Sequence, residues 1–209
     1  MVKLRFLALS LLISGLFTFS HACYAGAAAA PAPAAVFMQN MADTAMHYLN
    51  ADNISEKEKT EHLRALLRDG FDIKTIGRFV LGKHWREASD DQRREYFTLF
   101  ENMVLQSYQN RLTVDKVKSF TITKVMPGES GSQDSLVSSV IVRQSDPEPT
   151  NVTWRVRMEE GRMKIVDVLV NGISSSITQR SDFDSVIMSG GGKFDALLAT
   201  MRNFTSATQ

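Results

Sequence analysis

The sequence predicts an α+β fold: N-terminal helices, a curved four-stranded antiparallel meander, then C-terminal helices. Three observations predict it. Apolar residues recur at helical spacing from Met38 to Tyr108. The period falls to two between Phe120 and Val170, then returns to helical spacing from Ile173 to Phe204. Strands and helices thus occupy separate stretches of chain, unlike the regular alternation that builds a parallel sheet.

Taken in order, residues 1–25 have the pattern of an export signal. Lys3 and Arg5 precede an apolar stretch at 6–19, and Cys23-Tyr24-Ala25 offers a cleavage site, with Ala25-Gly26-Ala27 as a second. The stretch is shorter than the roughly 20 residues a membrane-spanning helix needs. Lipidation of Cys23 is disfavoured, because Ser20 stands where an aliphatic residue is wanted. A periplasmic location follows as the expectation. Residues 26–35, rich in Ala and Pro, read as a disordered linker. Residues 36–204 read as a single domain and 205–209 as a tail.

Met38, Met41, Ala42, Ala45 and Leu49 share one face of a first helix. Ser55-Glu56-Lys57-Glu58 is a capping box opening a second, which carries Leu63, Leu66 and Leu67 and ends near Gly70. Asp72 caps a short third helix through Ile73, Ile76 and Val80 to Gly82. Ser89-Asp90-Asp91-Gln92, another capping box, opens the longest helix, over about residues 89–112. Its stripe of Phe97, Phe100, Val104 and Tyr108 is widened by Tyr96, Leu99 and Met103 well beyond a coiled-coil seam.

Phe120, Ile122 and Val125 mark a first strand, ended by Pro127-Gly128. Residues 136–142 mark a second, ended by Asp146-Pro147. In a third, Val152, Trp154, Val156 and Met158 alternate with Thr153, Arg155 and Arg157. Glu160-Gly161 is a tight turn into a fourth at 163–170. From Ile173 the pattern is helical, broken at Gly190-Gly191-Gly192 and resumed from Phe194 to Phe204.

Composition excludes several function classes. Cleavage after Ala25 removes the chain's one cysteine, so no disulfide, thiolate nucleophile or Cys-based metal site remains. It also removes two of the 24 basic residues and none of the 23 acidic ones, leaving a net charge of −1. That disfavours bulk electrostatic binding to nucleic acid or to an anionic membrane, although a local basic patch can persist. His47, His62 and His84 are scattered singly. No zinc-protease, nucleophile-elbow, P-loop or dinucleotide motif is present. The glycine triplet follows a helical stretch and reads as a helix stop, not a phosphate cradle. Asp167, inside an apolar strand, is expected to pair with Arg155 or Arg180 rather than to act as a general base, since no second carboxylate or histidine matches it.

Two stretches carry a family resemblance. Phe71-Asp72, Arg78, Leu81-Gly82-Lys83-His84-Trp85-Arg86, Ser89, Gln92-Arg93, Phe97 and Phe100 form the first. Trp154-Arg155-Val156, the run from Val166 to Ser174, Arg180-Ser181-Asp182-Phe183, Gly191-Gly192 and Leu197-Leu198 form the second. In order and spacing, over about residues 36–204, they resemble the MlaC-type family of periplasmic phospholipid-binding proteins, also called toluene-tolerance proteins. Two departures bear on ligand preference rather than fold. Arg162-Met163-Lys164-Ile165 stands where members often carry an aromatic residue, and Asn171 where a Glu often precedes the strand-end glycine. The resemblance implies a soluble shuttle with phospholipid as cargo, an apolar lipid cavity enclosed between the helices and the meander, and no cofactor. Its implied partners are an outer-membrane lipoprotein complex and an inner-membrane ABC transporter bearing an MCE-domain subunit, with outer-membrane lipid asymmetry as the outcome. A hopanoid carrier of the same family, an adaptor without cargo and a lipid-modifying enzyme are the alternatives.

The residues suit a carrier independently. A diacyl lipid has roughly 30 methylenes, each worth about 0.8 kcal/mol on burial, so leaving a membrane costs on the order of 20 kcal/mol unless an apolar cavity repays it. The nine methionines remaining after cleavage supply adaptable side chains. Apolar residues on both parities of the last strand are surplus to one sheet face. The pattern alone fits a filled core as well. The candidate wall is Phe79, Trp85, Phe97, Phe100, Val104 and Tyr108 from the helices. The strands add Val140, Val142, Trp154, Val156, Val166, Val168 and Val170, and the first C-terminal helix adds Ile177. Arg86, Arg93 and Arg94 form the densest basic cluster and are candidates for docking acidic partner surfaces.

Overall fold

A computed structural model describes residues 32–206 apart from 113–115, 130, 131 and 147, and describes 108–112 by backbone alone. The export-signal reading and most of the linker lie outside the described residues. The helices are α1 (Pro33–Asn50), α2 (Glu56–Gly70), α3 (Ile73–Leu81), α4 (His84–Glu87), α5 (Asp90–Leu112), α6 (Ser175–Ser189) and α7 (Phe194–Ser206). The strands are β1 (Val117–Pro127), β2 (Asp134–Arg143), β3 (Thr150–Glu159), β4 (Arg162–Val170) and β5 (Ile173–Ser174). No described helix is long and apolar enough to cross a membrane.

The expected helix starts have the expected chemistry. Ser55 accepts from the Glu58 amide at 3.2 Å while the Glu58 carboxylate accepts from the Ser55 amide at 2.7 Å. Ser89 and Gln92 exchange the same two bonds at 3.2 and 2.9 Å. Asp72 accepts from the Thr75 amide at 2.9 Å. Helix α1 begins at Pro33, inside the segment read as linker, because proline at a first helical position has its φ preset and wastes no donor. At the other end α7 reaches Ser206, past the expected start of the tail.

The sheet is an antiparallel meander in the order β1-β2-β3-β4-β5. The fifth strand exceeds the expected four. Asn171 and Gly172 both take positive φ (49° and 82°), folding the chain back so that Ile173 pairs with Val170. Register puts Val152, Trp154 and Val156 on one face with Val170, Val168 and Ile165. Ser139, Val137 and Ser135 of β2 join that face, and so do Phe120, Ile122 and Val125 of β1. Helix α1 covers it with Ala34 and Met38. Register shifts interrupt β1 twice and β4 once, and each increases the local twist.

Three apolar clusters form without merging. One joins α3, α5, α6 and α7 around Tyr96, Phe100, Phe183, Ile187 and Leu197. A second sets α1 on the sheet through Met38, Val137, Val156 and Ile165. A third gathers Leu49, Leu63, Leu67 and Leu105. Polar ties fix the layers: Arg64 and Arg68 of α2 meet Glu101 of α5 at 3.4 and 2.8 Å. Lys164 of β4 donates to the carbonyls of Arg68 and Asp69 at 3.1 and 2.7 Å, closing the end of α2.

Candidate functional site

Between the three clusters lies a cavity of about 420 Å³, within the usual range of ligand sites, roughly 300–1,000 Å³. Each cluster gives it a wall. From α1 come Met38, Met41, Ala42, Ala45, Met46 and Leu49, from α2 Leu63, Leu66 and Leu67, and from α3 Ile73, Ile76 and Val80. Helix α5 adds Phe100, Met103, Val104 and Ser107, and Phe71 lies between α2 and α3. The sheet supplies Val117, Phe120, Ile141, Arg143, Val152, Trp154, Ile165, Asp167, Val168 and Val170. Ser175, Ser176 and Gln179 of α6 complete it. Ser175 is the one exposed member of this set.

The few polar groups are mostly tied into the scaffold. The Trp154 indole donates to Ser139 Oγ at 2.9 Å, and Ser139 donates on to the Val152 carbonyl, so the ring itself is apolar wall. Asp167 accepts from the Val168 amide at 2.8 Å, from Ser174 Oγ at 2.7 Å and from the Ser176 amide at 3.3 Å. These bonds stitch β4 to the start of α6, in place of the expected arginine partner. Arg155 stands opposite Asp167 in the ladder, while the Arg180 guanidinium lies 5.4 Å from the Phe79 ring. Among the described residues Arg143 is the one cation in the wall, with Nη1 3.0 Å from Thr150 Oγ1. No histidine lines the cavity, and among the described residues no group of acids, His and Cys is arranged to hold a metal.

Of the expected wall, Phe100, Val104, Trp154, Val168 and Val170 line the cavity. Tyr108 has no described side chain. The others lie elsewhere, for identifiable reasons. Val140 and Val142 have the wrong parity, since Ile141 and Arg143 take the inward positions on β2. Val166 is the extra residue of a β-bulge: Asp167 pairs with Arg155 and Ile165 with Val156, leaving Val166 without a partner. Val156 is inward but buried against α1. Phe97 packs on Trp85, ring centres 5.5 Å apart. Trp85 is flanked by Arg78 at 5.4 Å and Arg93 at 4.8 Å. Phe79 and Ile177 face outward, 45% and 62% exposed. What the pattern did not assign to the wall is the contribution of α1, α2, β1 and the inward face of α3, although their apolar residues were legible.

The basic cluster is largely spoken for. Arg93 donates twice to the Trp85 carbonyl, at 3.0 and 2.8 Å, and pairs with Asp90 at 3.0 Å. Arg94 pairs with Asp91, and Arg86 is exposed. Next to it His84, buried, sits between two carboxylates, Nδ1 2.7 Å from Glu87 and Nε2 2.7 Å from Asp184. The bond from His84, reinforced by Lys83 at 3.0 Å, holds the Asp184 carboxyl below its ordinary value.

The family model described as MlaC protein matches residues 39–203. The intermembrane phospholipid transport system binding protein MlaC of Haemophilus influenzae is 25% identical over 146 residues, 66% of this chain and 67% of that protein. Among solved structures, a phospholipid-binding protein from Ralstonia solanacearum in complex with a phospholipid superimposes with a TM-score of 0.68 at 19% identity, covering 84% of this chain and 98% of that one.

Proposed function

The chain belongs to the MlaC family, and we propose that it is a periplasmic carrier that holds a phospholipid by its tails. It passes that lipid between an outer-membrane lipoprotein complex and an inner-membrane ABC transporter bearing an MCE-domain subunit, so sustaining outer-membrane lipid asymmetry. The observation that carries this reading is the cavity of about 420 Å³ where three apolar clusters meet but do not close. Such a space, if filled only by water, wastes apolar surface at about 25 cal/mol per Å². Filled by acyl chains, it offsets the cost on the order of 20 kcal/mol that extraction from a bilayer imposes. Arg143 puts a guanidinium in the lining, a group of the kind that pairs with a phosphodiester. The relatives' phospholipid and the export-signal pattern point the same way.

Lipid extraction and mass spectrometry of protein purified from a bacterial host tests this directly. A phospholipid is expected at close to one per chain. A triterpenoid there would make the protein a hopanoid carrier, an empty protein would favour the adaptor, and product from added labelled phospholipid would reveal an enzyme. A matched pair of variants locates the site. Val168→Glu, on the wall, removes at least nine-tenths of the bound lipid, on the order of the several kcal/mol that an unpaired buried charge costs. Val140→Glu, on the opposite sheet face, leaves the lipid in place. Equal lipid in both proteins would place the cargo elsewhere.

A further inference from the structure

The helical face beside the cavity carries large exposed apolar side chains. Phe79 of α3 is 45% exposed, and Ile173 and Ile177 at the start of α6 are 68% and 62% exposed. Helices α3 and α6 pack together. Ser174 caps α6 by accepting from the Ile177 amide at 3.1 Å, which folds Ile173 and Ile177 into one turn. Arg180, the next turn of α6, lies 5.4 Å from the Phe79 ring. Ile173 follows the Asn171-Gly172 turn, and a Cβ on Gly172 would meet nothing within 4 Å, so the turn leading into Ile173 is open to solvent. Between Ile173 and Ile177 comes Ser175, the exposed residue of the cavity wall.

Charge singles out a partner. From Ile73 to Arg86 the chain carries Lys74, Arg78, Lys83 and Arg86 and no carboxylate. Lys74, Arg78 and Arg180 are exposed. The carboxylates that pack nearby are engaged: Asp184 with Lys83 and His84, Glu87 with His84, and Asp72 with the first turn of α3. Asp182, exposed on α6, is the remaining acid of this stretch.

We propose that this face docks transiently on an anionic phospholipid bilayer, with Ile173, Ile177 and Phe79 entering the headgroup–acyl boundary and Lys74, Arg78 and Arg180 meeting phosphates. The inference rests on the reading of the cavity as a lipid site, and names the surface through which a lipid enters it. Protruding, separated apolar side chains suit a fluid surface that closes around them, whereas a protein partner needs a matched pocket for each. Surplus cations beside them add attraction to anionic headgroups. Docking here also sets the exposed end of the cavity wall against the membrane, which shortens the path of the tails through water.

The test is co-sedimentation of the protein with vesicles of phosphatidylcholine, with and without phosphatidylglycerol. Binding is expected only when phosphatidylglycerol is present, and it weakens at least tenfold, by order of magnitude, between low and high salt. Lys74→Glu with Arg78→Glu lowers it by more than about twentyfold, since each lost cation is worth roughly a factor of five. Phe79→Ser with Ile177→Ser lowers it by about tenfold or more. All four side chains are exposed, and thermal melts confirm that both variants fold. Indifference of the parent protein to phosphatidylglycerol, or binding by both variants at the parent level, overturns the inference. So does loss of lipid transfer in the variants with vesicle binding intact, which would assign the face to a protein partner. Lipid content of the same preparations separates the two readings. A lipid-loaded protein that ignores vesicles defeats bilayer docking alone, whereas a protein that never carries lipid defeats the carrier.

Discussion

Tyr96 donates its hydroxyl to the Gly77 carbonyl at 2.9 Å from a fully buried position, and burial pushes its ionisation well above the ordinary range. Rings of Phe97, Phe100, Phe183 and Phe194 surround it. Tyr96→Phe keeps that packing and removes the one polar bond. We expect a loss of about 1 kcal/mol in urea unfolding with lipid content unchanged. A variant as stable as its parent would mean that the hydroxyl gains nothing over water. The aromatic stripe was legible from spacing, but not which of its members faces the void. Phe97 and Phe100 sit three positions apart, yet one packs at a tilt on Trp85 and the other borders the cavity. His84 was equally opaque. Glu87 is visible three positions on, but Asp184 arrives from a hundred residues away through the packing of α6.

Helices α3 and α5 approach so closely at Gly77 that a Cβ there would stand 3.1 Å from both Phe97 and Phe100. Gly77→Val therefore drives the two helices apart. The expected cost is about 1–3 kcal/mol in unfolding, with lipid retention reduced because Val80 and Phe100 shift with their helices. Unaltered stability would show that the rings simply swing aside. Elements that announce themselves through side-chain chemistry were legible: both capping boxes, the Asp72 cap and the Glu160-Gly161 turn. Strand parity was legible where apolar and polar residues alternate, as in β3. The bulge at Val166 lets Ile165 and Val168 face the same way, which no alternating pattern can signal, and β2 turned Ile141 rather than Val140 inward. Helix α4 and strand β5, four and two residues long, are too short to leave a period.

At the scale of the molecule, several carboxylates are held below their ordinary values by bonds between elements or at caps. Lys116 does this to Asp52, the Ser55 amide to Glu58, Arg202 to Glu95 and His84 to Asp184. A lowered folded value means that the charged form is favoured in the native state. The stability it adds is present above the unfolded value, near 4, and is lost as pH falls through the folded one. Glu159, raised by its bond to Asp72, works in the opposite sense. The melting temperature should therefore be level above about pH 5 and fall below about pH 4, modestly, because these groups lie at the surface. A rise on acidification over that interval would contradict the sign. The α+β order of elements was legible because period changes mark it. The cavity was not, because a void between three clusters and one filled core draw on the same apolar residues. The wall also has a chemical liability. Met38, Met41, Met46 and Met103 put four thioethers into the lining of the cavity, and an oxidant that reaches them converts each to a polar sulfoxide. Oxidation would thus weaken the hold on apolar chains and, at Met38, the seat of α1 on the sheet, and a sulfoxide reductase, rather than new synthesis, would reverse both.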